Sequence, residues 1–435
     1  MPKTVSKMLL LLCAALIPFA GAGNADGAAA LRVVDPETGQ LIPGVVVTLD
    51  GATLAAGPEG LFPLPQAAGT VRVRAHGYQR AEQSLAVSPG AEPVEIKLSP
   101  LAPRALYLSF YGVGSKALRG PALKLIEETE LNALVVDVKG DRGMIPYRSS
   151  VALAAEIGAQ KIITVRDPEG LFASFKEKGI YTIARIVVFK DDLLAAARPE
   201  LAVKTPAGEI WRDRENLAWV DPFRKEVWEY NIRIAEEAAR LGFDEIQFDY
   251  VRFPDSRSPR FSQPSTEEGR VAAIAGFLQE ARTRLSPYNV FTAADIFGYV
   301  CWNTNDTDIG QKLEPIASAV DYLCPMLYPS GFQFGIPGYR NPVQRPHEIV
   351  FLSLKKAQER TGIAAVRFRP WLQSFRDYAF DRRPFSGKEI HDQISAAEKF
   401  GSQGWMLWNP ANVYTAEALK KEIRTASISA VAPSP

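Results

Sequence analysis

The spacing of hydrophobic residues divides the chain into two parts with different periods. Over residues 31–98, short runs alternate between apolar and polar residues, as in Val71-Arg72-Val73-Arg74, and glycines separate the runs. After Arg104, strand-like apolar runs alternate with longer runs that have a helical period. The first pattern predicts a small antiparallel β-sandwich, and the second predicts a parallel sheet covered by helices.

The strand candidates of the second part cover residues 105–111, 133–139, 181–189, 245–251, 290–297, 322–328, 369–375 and 405–408. Helical patterns cover residues 224–241, 268–285, 347–360, 388–400 and 416–424. Eight strand–helix units favour a (β/α)8 TIM barrel. A doubly wound nucleotide-binding sheet is disfavoured, because Gly112-Val113-Gly114 lacks the third glycine and the acidic residue of that motif. The predicted class is α/β, with a TIM barrel over residues 104–424 after a small all-β sandwich over residues 29–99.

Both ends of the chain differ from this folded middle. Lys3 and Lys7 precede an apolar run over residues 8–20, and small residues follow it. This layout is typical of a secretory signal peptide and is too short for a membrane span. We therefore expect residues 1–25 to be removed, the mature chain to be periplasmic or extracellular, and residues 425–435 to be disordered. A lipid anchor on Cys13 is the weaker alternative, because that cysteine lies inside the apolar run.

Charge and cysteine content narrow the classes of partner. Fifty Lys and Arg against 49 Asp and Glu leave a formal net charge of +1, so no broad field favours nucleic acid or an anionic membrane. The mature chain keeps Cys301 and Cys324, and we favour two buried thiols over a disulfide. No metal or cofactor is predicted, since the three histidines are far apart; a calcium loop over residues 303–314 is a weaker alternative.

The carboxyl ends of the strand candidates carry the candidate chemistry, because TIM-barrel active sites lie there. Asp249 ends the fourth strand candidate, and Asp295 lies near the end of the fifth. Adjacent strands would bring the two carboxyls to roughly 5 to 6 Å, the separation that retaining glycosidases use, whereas a gap of roughly 8 Å or more would indicate inversion. We therefore predict glycoside hydrolysis, with Asp249 as nucleophile and Asp295 as acid/base.

Other polar and aromatic side chains near the strand ends are predicted to bind substrate. Residues two apart share a face of a strand, so we expect Gln247 to point into the barrel with Asp249, and Lys139 with Asp137. Arg185 is the expected internal counter-charge for these groups. The predicted substrate-binding set is Asp137, Lys139, Arg185, Gln247, Arg252, Trp302, Tyr328, Trp371, Gln373 and Trp408. Residues 199–222 form a polar excursion long enough for a cleft wall. Structural roles remain open, because Asp249 could pair with Arg252, and Asp295 with Arg185 or Lys139.

Several segments of the second part resemble a known family. Residues 184–191, 247–254, 325–330, 369–373 and 407–409 are similar to a bacterial family of barrels, long catalogued as a domain of unknown function and classed with glycoside hydrolases largely by barrel analogy. The resemblance covers residues 104–424 and implies a glycosidase that acts on a carbohydrate polymer. In the first part, residues 35–39, 43–45, 60–62 and 76–78 resemble carboxypeptidase regulatory-like, transthyretin-like modules, which implies a spacer or adhesion role.

Two alternative functions remain beside retaining hydrolysis. The fourth and sixth strands also resemble those of chitinase-like barrels, where an acetamido group of the substrate is the nucleophile, although this chain lacks the final glutamate of that fourth-strand motif. The second alternative is a barrel that binds glycan without cleaving it. The sequence leaves the sugar, the linkage and the oligomeric state open.

Overall fold

The structure, a computed structural model, describes residues 29–64, 69–86 and 92–421. The predicted signal peptide and the predicted disordered tail lie outside these residues, so both stay predictions. No helix in the described ranges combines the length and the apolar character that a bilayer crossing requires.

The first part of the described chain is all β. It consists of β1 (Ala30–Val34), β2 (Val46–Leu49), β3 (Ala52–Leu54), β4 (Phe62–Pro63), β5 (Gly69–Arg74), β6 (Ala81–Leu85) and β7 (Val94–Lys97). The strands form two sheets, ordered β4-β1-β7 and β3-β2-β5-β6. Leu31, Val47, Val73 and Ile96 lie in the core that the two sheets share. The predicted small β-sandwich is therefore present.

One detail of that sandwich differs from the prediction of an antiparallel domain. β1 and β7 pair in parallel, with Leu31 opposite Val94. Parallel neighbours require a crossover connection, and here the whole β3-β2-β5-β6 sheet lies between the two strands in the chain. The likeness to carboxypeptidase regulatory-like modules stays a prediction.

The second part is a closed barrel of eight parallel strands, which confirms the predicted fold class. Its strands are β8 (Arg104–Leu108), β9 (Ala133–Lys139), β10 (Tyr181–Val187), β11 (Glu245–Asp249), β12 (Phe291–Phe297), β13 (Tyr322–Met326), β14 (Trp371–Gln373) and β15 (Trp405–Trp408). They pair in chain order, and β15 closes the barrel against β8. Each predicted strand is present, although most end earlier than their apolar runs.

Helices surround the barrel. They are α1 (Phe110–Gly114), α2 (Lys116–Glu128), α3 (Ala152–Glu156), α4 (Pro168–Glu177), α5 (Asp192–Ala197), α6 (Lys225–Arg240), α7 (Glu267–Leu285), α8 (Leu313–Ala319), α9 (Pro346–Thr361) and α10 (Gly387–Phe400). On α6 the stripe of Val227, Tyr230, Ile234 and Ala238 is buried, as the helical period requires. Four of the five predicted helices correspond to α6, α7, α9 and α10.

The fifth predicted helix, over residues 416–424, is wrong in its described portion. The backbone N–H of Glu130 donates to the carbonyl of Lys420 (2.9 Å), and the N–H of Lys420 donates to the Glu130 carboxylate (3.0 Å). Within residues 416–421 the backbone N–H of Leu419 closes a single turn on the Ala416 carbonyl (3.0 Å), and Lys420 and Lys421 pair with the segment that follows α2. The remaining residues of this predicted helix lie outside the described chain.

The side chains inside the barrel differ between its two ends. The lower end, at the amino ends of the strands, contains apolar residues and an ion pair, and the upper end, at the carboxyl ends, contains several aspartates. At the amino ends of the strands, Arg369 pairs with Glu245, which also accepts a hydrogen bond from the Tyr181 hydroxyl (3.0 Å). In the middle layer, the Gln247 amide lies 3.3 Å from the sulfur of Cys324. Both Cys301 and Cys324 are free and buried, which confirms the prediction of two separate thiols.

The sandwich packs against the amino ends of the barrel strands, the side opposite the strand ends that carry the candidate site. The backbone N–H of Gly77 donates to the Tyr322 hydroxyl (3.1 Å), and Arg80 pairs with Asp244 (3.0 Å). The segment that joins the two domains, residues 99–103, is held in place, since the Leu101 carbonyl accepts from the Gln403 amide (3.0 Å). The upper face of the barrel is left uncovered by the sandwich.

Candidate active site

A cavity of about 170 Å³ opens at the carboxyl ends of the barrel strands. Its wall consists of Arg185, Asp249, Tyr250, Arg252, Phe297, Met326, Tyr328, Trp371 and Trp408. These residues lie at or just after the ends of β10 to β15, because inward-facing side chains of successive strands converge at that end of a barrel. The structure thus brings Arg185, Asp249, Arg252, Tyr328, Trp371 and Trp408 of the predicted set together.

Arg185 lies between two acids beside this cavity. Its Nε and Nη2 donate to Asp249 Oδ2 at 2.9 and 2.6 Å, and its Nη1 donates to Asp137 Oδ1 at 2.6 Å. All three side chains are buried, and Asp249 is 6% exposed. Arg185 is therefore the predicted internal counter-charge, although its partners are Asp137 and Asp249 rather than Asp295. The two carboxylates hold the pKa of Arg185 well above its ordinary value despite the cost of burial.

Asp295 lies next to Asp249 in the barrel but in a different environment. Its Oδ1 accepts the indole N–H of Trp371 at 2.7 Å, whereas its buried Oδ2 has no hydrogen-bond partner. Asp295 is 1% exposed. Burial, followed by the negative charge of Asp249, raises the pKa of Asp295 well above its ordinary value. In the described chain, Asp295 has no ion pair with Arg185 or Lys139, so those structural alternatives are wrong.

Tyr107 is a site residue that the sequence prediction missed. Its hydroxyl donates to Asp137 Oδ2 at 2.6 Å, and its ring stacks on Trp408 with 3.9 Å between ring centroids. The Arg185 guanidinium lies 4.9 Å from the Trp408 ring centroid. Tyr107 therefore fixes Asp137 and Trp408 around Arg185. The alternation of faces along a strand would have indicated it, because Tyr107 lies two residues after Ala105, an interior residue of the barrel, and so shares its face of β8.

Lys139 does not share the face of Asp137, so that prediction is wrong. Arg185 pairs with Asp137 in register, but Ile186 pairs with Lys139, and the intervening Val138 makes a bulge. A bulge inserts one residue and ends the strict alternation of faces. Lys139 is therefore fully buried against α6 and forms an ion pair with Asp191 (2.5 Å).

Three more predicted substrate-binding residues lie away from the cavity wall. Trp302 donates its indole N–H to Ser353 on α9 (2.9 Å) and packs in the helical layer, because it follows a 3-10 turn beyond β12. Gln373 is fully buried and holds Ser330 by accepting its backbone N–H (3.0 Å) and donating to its hydroxyl (2.7 Å). Gln247 faces inward as predicted but lies in the middle layer of the barrel.

The loop after β11 shapes the cavity wall. Tyr250 follows Asp249 directly and has a φ of 47°, a left-handed conformation that is uncommon for an aromatic residue. Its ring packs against Trp219, with 5.7 Å between centroids, so the predicted excursion over residues 199–222 supports Tyr250 from behind but does not line the cavity. Arg252 makes no ion pair with Asp249 in the described chain, so the predicted alternative pairing is wrong, and Asp249 pairs with Arg185 instead.

The described residues contain no group of three or more His, Cys, Asp or Glu side chains arranged to hold a metal ion. In the loop proposed as a calcium alternative, Asp306 pairs with Arg270 (2.6 Å) and accepts the backbone N–H groups of Asp308 (3.1 Å) and Gly310 (2.9 Å). Its carboxylate is therefore engaged in holding the loop.

Comparisons with known proteins give a family. A family model described as "Putative glycosyl hydrolase domain" matches residues 105–414. No curated protein matches the chain. A solved hypothetical protein from Ruminiclostridium thermocellum ATCC 27405 is 42% identical over 44% of this chain and 96% of that chain, with a TM-score of 0.40.

Two solved glycosidase structures are similar at lower identity. The glycoside hydrolase domain of PgaB (BpsB) from Bordetella bronchiseptica is 14% identical over 72% of this chain and 95% of that chain, with a TM-score of 0.52. A class V chitinase from Pseudomonas fluorescens Pf-5 is 12% identical over 73% of this chain and 98% of that chain, with a TM-score of 0.44. The likeness to the PgaB domain shows a shared fold, which by itself does not define a reaction.

The family model covers most of the chain, including the whole barrel and the wall of the cavity. The chain therefore belongs to the family described as "Putative glycosyl hydrolase domain".

Proposed function

We propose that the protein is a glycosidase that cleaves a glycosidic bond at the cavity beside Asp249. The observation that carries the proposal is that two carboxyl groups on neighbouring strands have opposite environments: Asp249 has a cationic partner, and Asp295 has none in the described chain. Phe248 and Ala294 are partners across β11 and β12, so the next residues, Asp249 and Asp295, follow in the same register. Neighbouring strands are about 4.8 Å apart, which supports the short spacing of a retaining enzyme.

Asp249 has the features of the nucleophile. It lines the cavity and pairs with Arg185 through Oδ2 only, so no side chain takes its Oδ1 in the described chain. Oδ1 accepts just the backbone N–H of the following residue, Tyr250 (2.5 Å). In the proposed first step, Asp249 attacks the anomeric carbon while the bond to the leaving oxygen breaks.

Asp295 has the features of the acid/base. The pKa of Asp295 is raised by burial and by the charge of Asp249, which favours the protonated carboxyl that a general acid requires. In the first step Asp295 gives its proton to the leaving oxygen; in the second it removes a proton from the water that displaces Asp249. Because Asp295 does not line the cavity, this direct transfer requires a displacement of the Trp371 side chain, which holds its Oδ1.

The family description supports hydrolysis of a glycoside, and the predicted export supports a polysaccharide of the cell envelope or of the surroundings as substrate. The place of the final glutamate in the chitinase-like fourth-strand motif is taken here by Val251, a buried residue that cannot act as an acid. This departure weighs against a chitinase-like, substrate-assisted version of the proposal.

Glycan binding without cleavage is the second candidate function. The observation that favours it is the burial of Asp295, which in this structure has no contact with the cavity. A glycan-binding barrel would bind sugar through the aromatic residues of the cavity wall, without a proton donor that reaches the sugar.

A polysaccharide panel separates the two candidates. Envelope and extracellular polysaccharides would be incubated with the native protein, with product detected as new reducing ends and binding detected by co-sedimentation. Hydrolysis with retention of anomeric configuration, followed by NMR at early times, is the expected result. Binding without any product from the native protein would instead establish the glycan-binding function.

A further inference from the structure

Arg252 stands out in the cavity wall because its charge has no carboxylate partner in the described chain. One hydrogen bond joins it to the protein, from Nη1 to the carbonyl of its neighbour Phe253 (3.0 Å). A guanidinium has five N–H donors. The Arg252 side chain is half-buried, and its Nε and Nη2 donate no hydrogen bond within the described chain.

The two other arginines inside the barrel are compensated. Arg185 pairs with Asp137 and Asp249, and Arg369 pairs with Glu245. Asp249 does not serve Arg252 in the same way, because its ion pair is with Arg185. A partly buried charge without a partner is costly for a folded protein, which suggests that its partner arrives with a ligand.

Aromatic rings hold the Arg252 side chain in place. Its guanidinium carbon lies 4.8 Å from the ring centroid of Trp219, 5.1 Å from that of Tyr250 and 4.9 Å from that of Phe297. Rings leave the edge of a guanidinium free, and that edge matches the two oxygens of a carboxylate or of a phosphate or sulfate ester. The side chain is thus oriented before any ligand binds.

Resting on the proposed function, we propose that Arg252 binds an anionic group of the substrate, so that the protein acts on an acidic saccharide. The sugar in the cavity carries a carboxylate or another anionic oxygen group, which forms a bidentate pair with the free edge of Arg252. The cavity of about 170 Å³ is below the roughly 300–1,000 Å³ of pockets for larger ligands, which suits a single sugar ring.

The test compares acidic sugars with their neutral partners. Glucuronate, galacturonate and N-acetylmuramate would be titrated against glucose, galactose and N-acetylglucosamine at low salt, with binding followed by NMR of the arginine side chains. Glucose 6-sulfate and glucose 6-phosphate would identify the preferred anion. We expect at least one acidic sugar to bind about 10- to 100-fold more tightly than its neutral partner.

Variants assign that preference to Arg252. Arg252→Gln is expected to abolish it, and Arg252→Lys to keep a small part of it. Arg257→Gln is the matched control: it removes the same charge from the same loop, where the Arg257 side chain is 91% exposed, and should keep the preference. Equal binding of acidic and neutral sugars, an unchanged preference in Arg252→Gln, or no saturable binding of any acidic sugar would refute the inference.

The titrations are independent of hydrolysis, so the two proposals fail separately. If the protein shows the Arg252-dependent preference but cleaves nothing, the anion site is supported and the glycosidase proposal is refuted. If the protein cleaves a neutral polysaccharide and Arg252→Gln does not change its selectivity, the glycosidase proposal is supported and the anion site is refuted.

Discussion

Individual side chains in and behind the cavity wall differ chiefly in how their charge is compensated. Arg185 has two carboxylate partners, Asp249 shares one of its oxygens with Arg185, and Arg252 has aromatic rings instead of an acid. Asp295 has an indole N–H and a raised pKa. The proposed chemistry depends on these differences, because a nucleophile must be charged when an acid beside it is not.

Loss of Arg185 should strongly destabilise the fold. In Arg185→Met, Asp137 and Asp249 stay buried without their counter-charge, and breaking a buried pair in this way costs about 3–5 kcal/mol. Urea unfolding at neutral pH would measure the loss. The exposed Arg257→Gln serves as control and should unfold like the native protein. A loss below about 1 kcal/mol, the size of a surface pair, would contradict the buried network.

Asp295 should make the free energy of unfolding depend on pH. Its raised pKa means that the folded chain keeps a proton that the unfolded chain releases above the ordinary value of 3.8. Stability therefore falls as the pH rises from about 3.8 toward the folded pKa. Asn cannot ionise at this position, so the stability of Asp295→Asn relative to the native protein should increase as the pH rises above about 3.8. A stability difference between Asp295→Asn and the native protein that is independent of pH would contradict the raised pKa.

At the level of elements, the strands were predictable and their ends were not. Apolar runs predicted all eight barrel strands, because parallel strands covered by helices are apolar on both faces. The same property hid the strand ends: Phe110 and Tyr111 continue the apolar run of β8 but belong to α1. The positions of Asp249 and Asp295 were predictable, since a carboxylate near the end of a buried strand is conspicuous.

Residues whose positions depend on a local irregularity were not predictable. The β9 bulge moves Lys139 to the helical layer, the 3-10 turn after β12 takes Trp302 away from the cavity, and the left-handed Tyr250 directs the following loop. Each of these follows from tertiary pairing that no period in the sequence records. Asp191, the partner of Lys139, is missed for the same reason.

The bulge leads to a test that separates a structural lysine from a substrate-binding one. Lys139→Met leaves Asp191 buried without a partner and should cost about 3–5 kcal/mol in unfolding free energy. Carbohydrate binding per folded molecule should stay unchanged at low temperature, because Lys139 does not reach the cavity. Unchanged stability with lost carbohydrate binding would show that the side chain contacts substrate.

At the level of the whole molecule, the sandwich and the barrel share a polar interface. Arg80 contacts Asp244 and the Gly242 carbonyl (3.2 Å), and the Asn289 amide donates to the carbonyls of Val73 and Ala81 (both 3.3 Å). These contacts close the lower end of the barrel and leave the cavity at the upper end accessible. A spacer or adhesion role for the sandwich, which stays a prediction, is compatible with this arrangement.

The interface should couple the stability of the two domains. All seven tryptophans belong to the barrel part of the sequence, so their fluorescence reports its unfolding alone. Arg80→Ala, a change in the sandwich, should lower the barrel transition by about 1–3 kcal/mol, because it leaves a partly buried Asp244 without its partner. Arg72→Ala, which removes a pair within the sandwich, should leave that transition in place. Identical effects of the two variants would argue against coupling through the interface.

The proposed function requires Asp249 as the nucleophile of glycoside hydrolysis, and the initial rate of reducing-end release by Asp249→Asn measures that role. On a polysaccharide that the native protein cleaves, we expect kcat to fall by at least about 1,000-fold, because the amide cannot act as the nucleophile, while Arg257→Gln cleaves at the native rate. The Asp249→Asn fold should be verified by its tryptophan emission. An Asp249→Asn protein that is folded and keeps the full native rate would contradict the account.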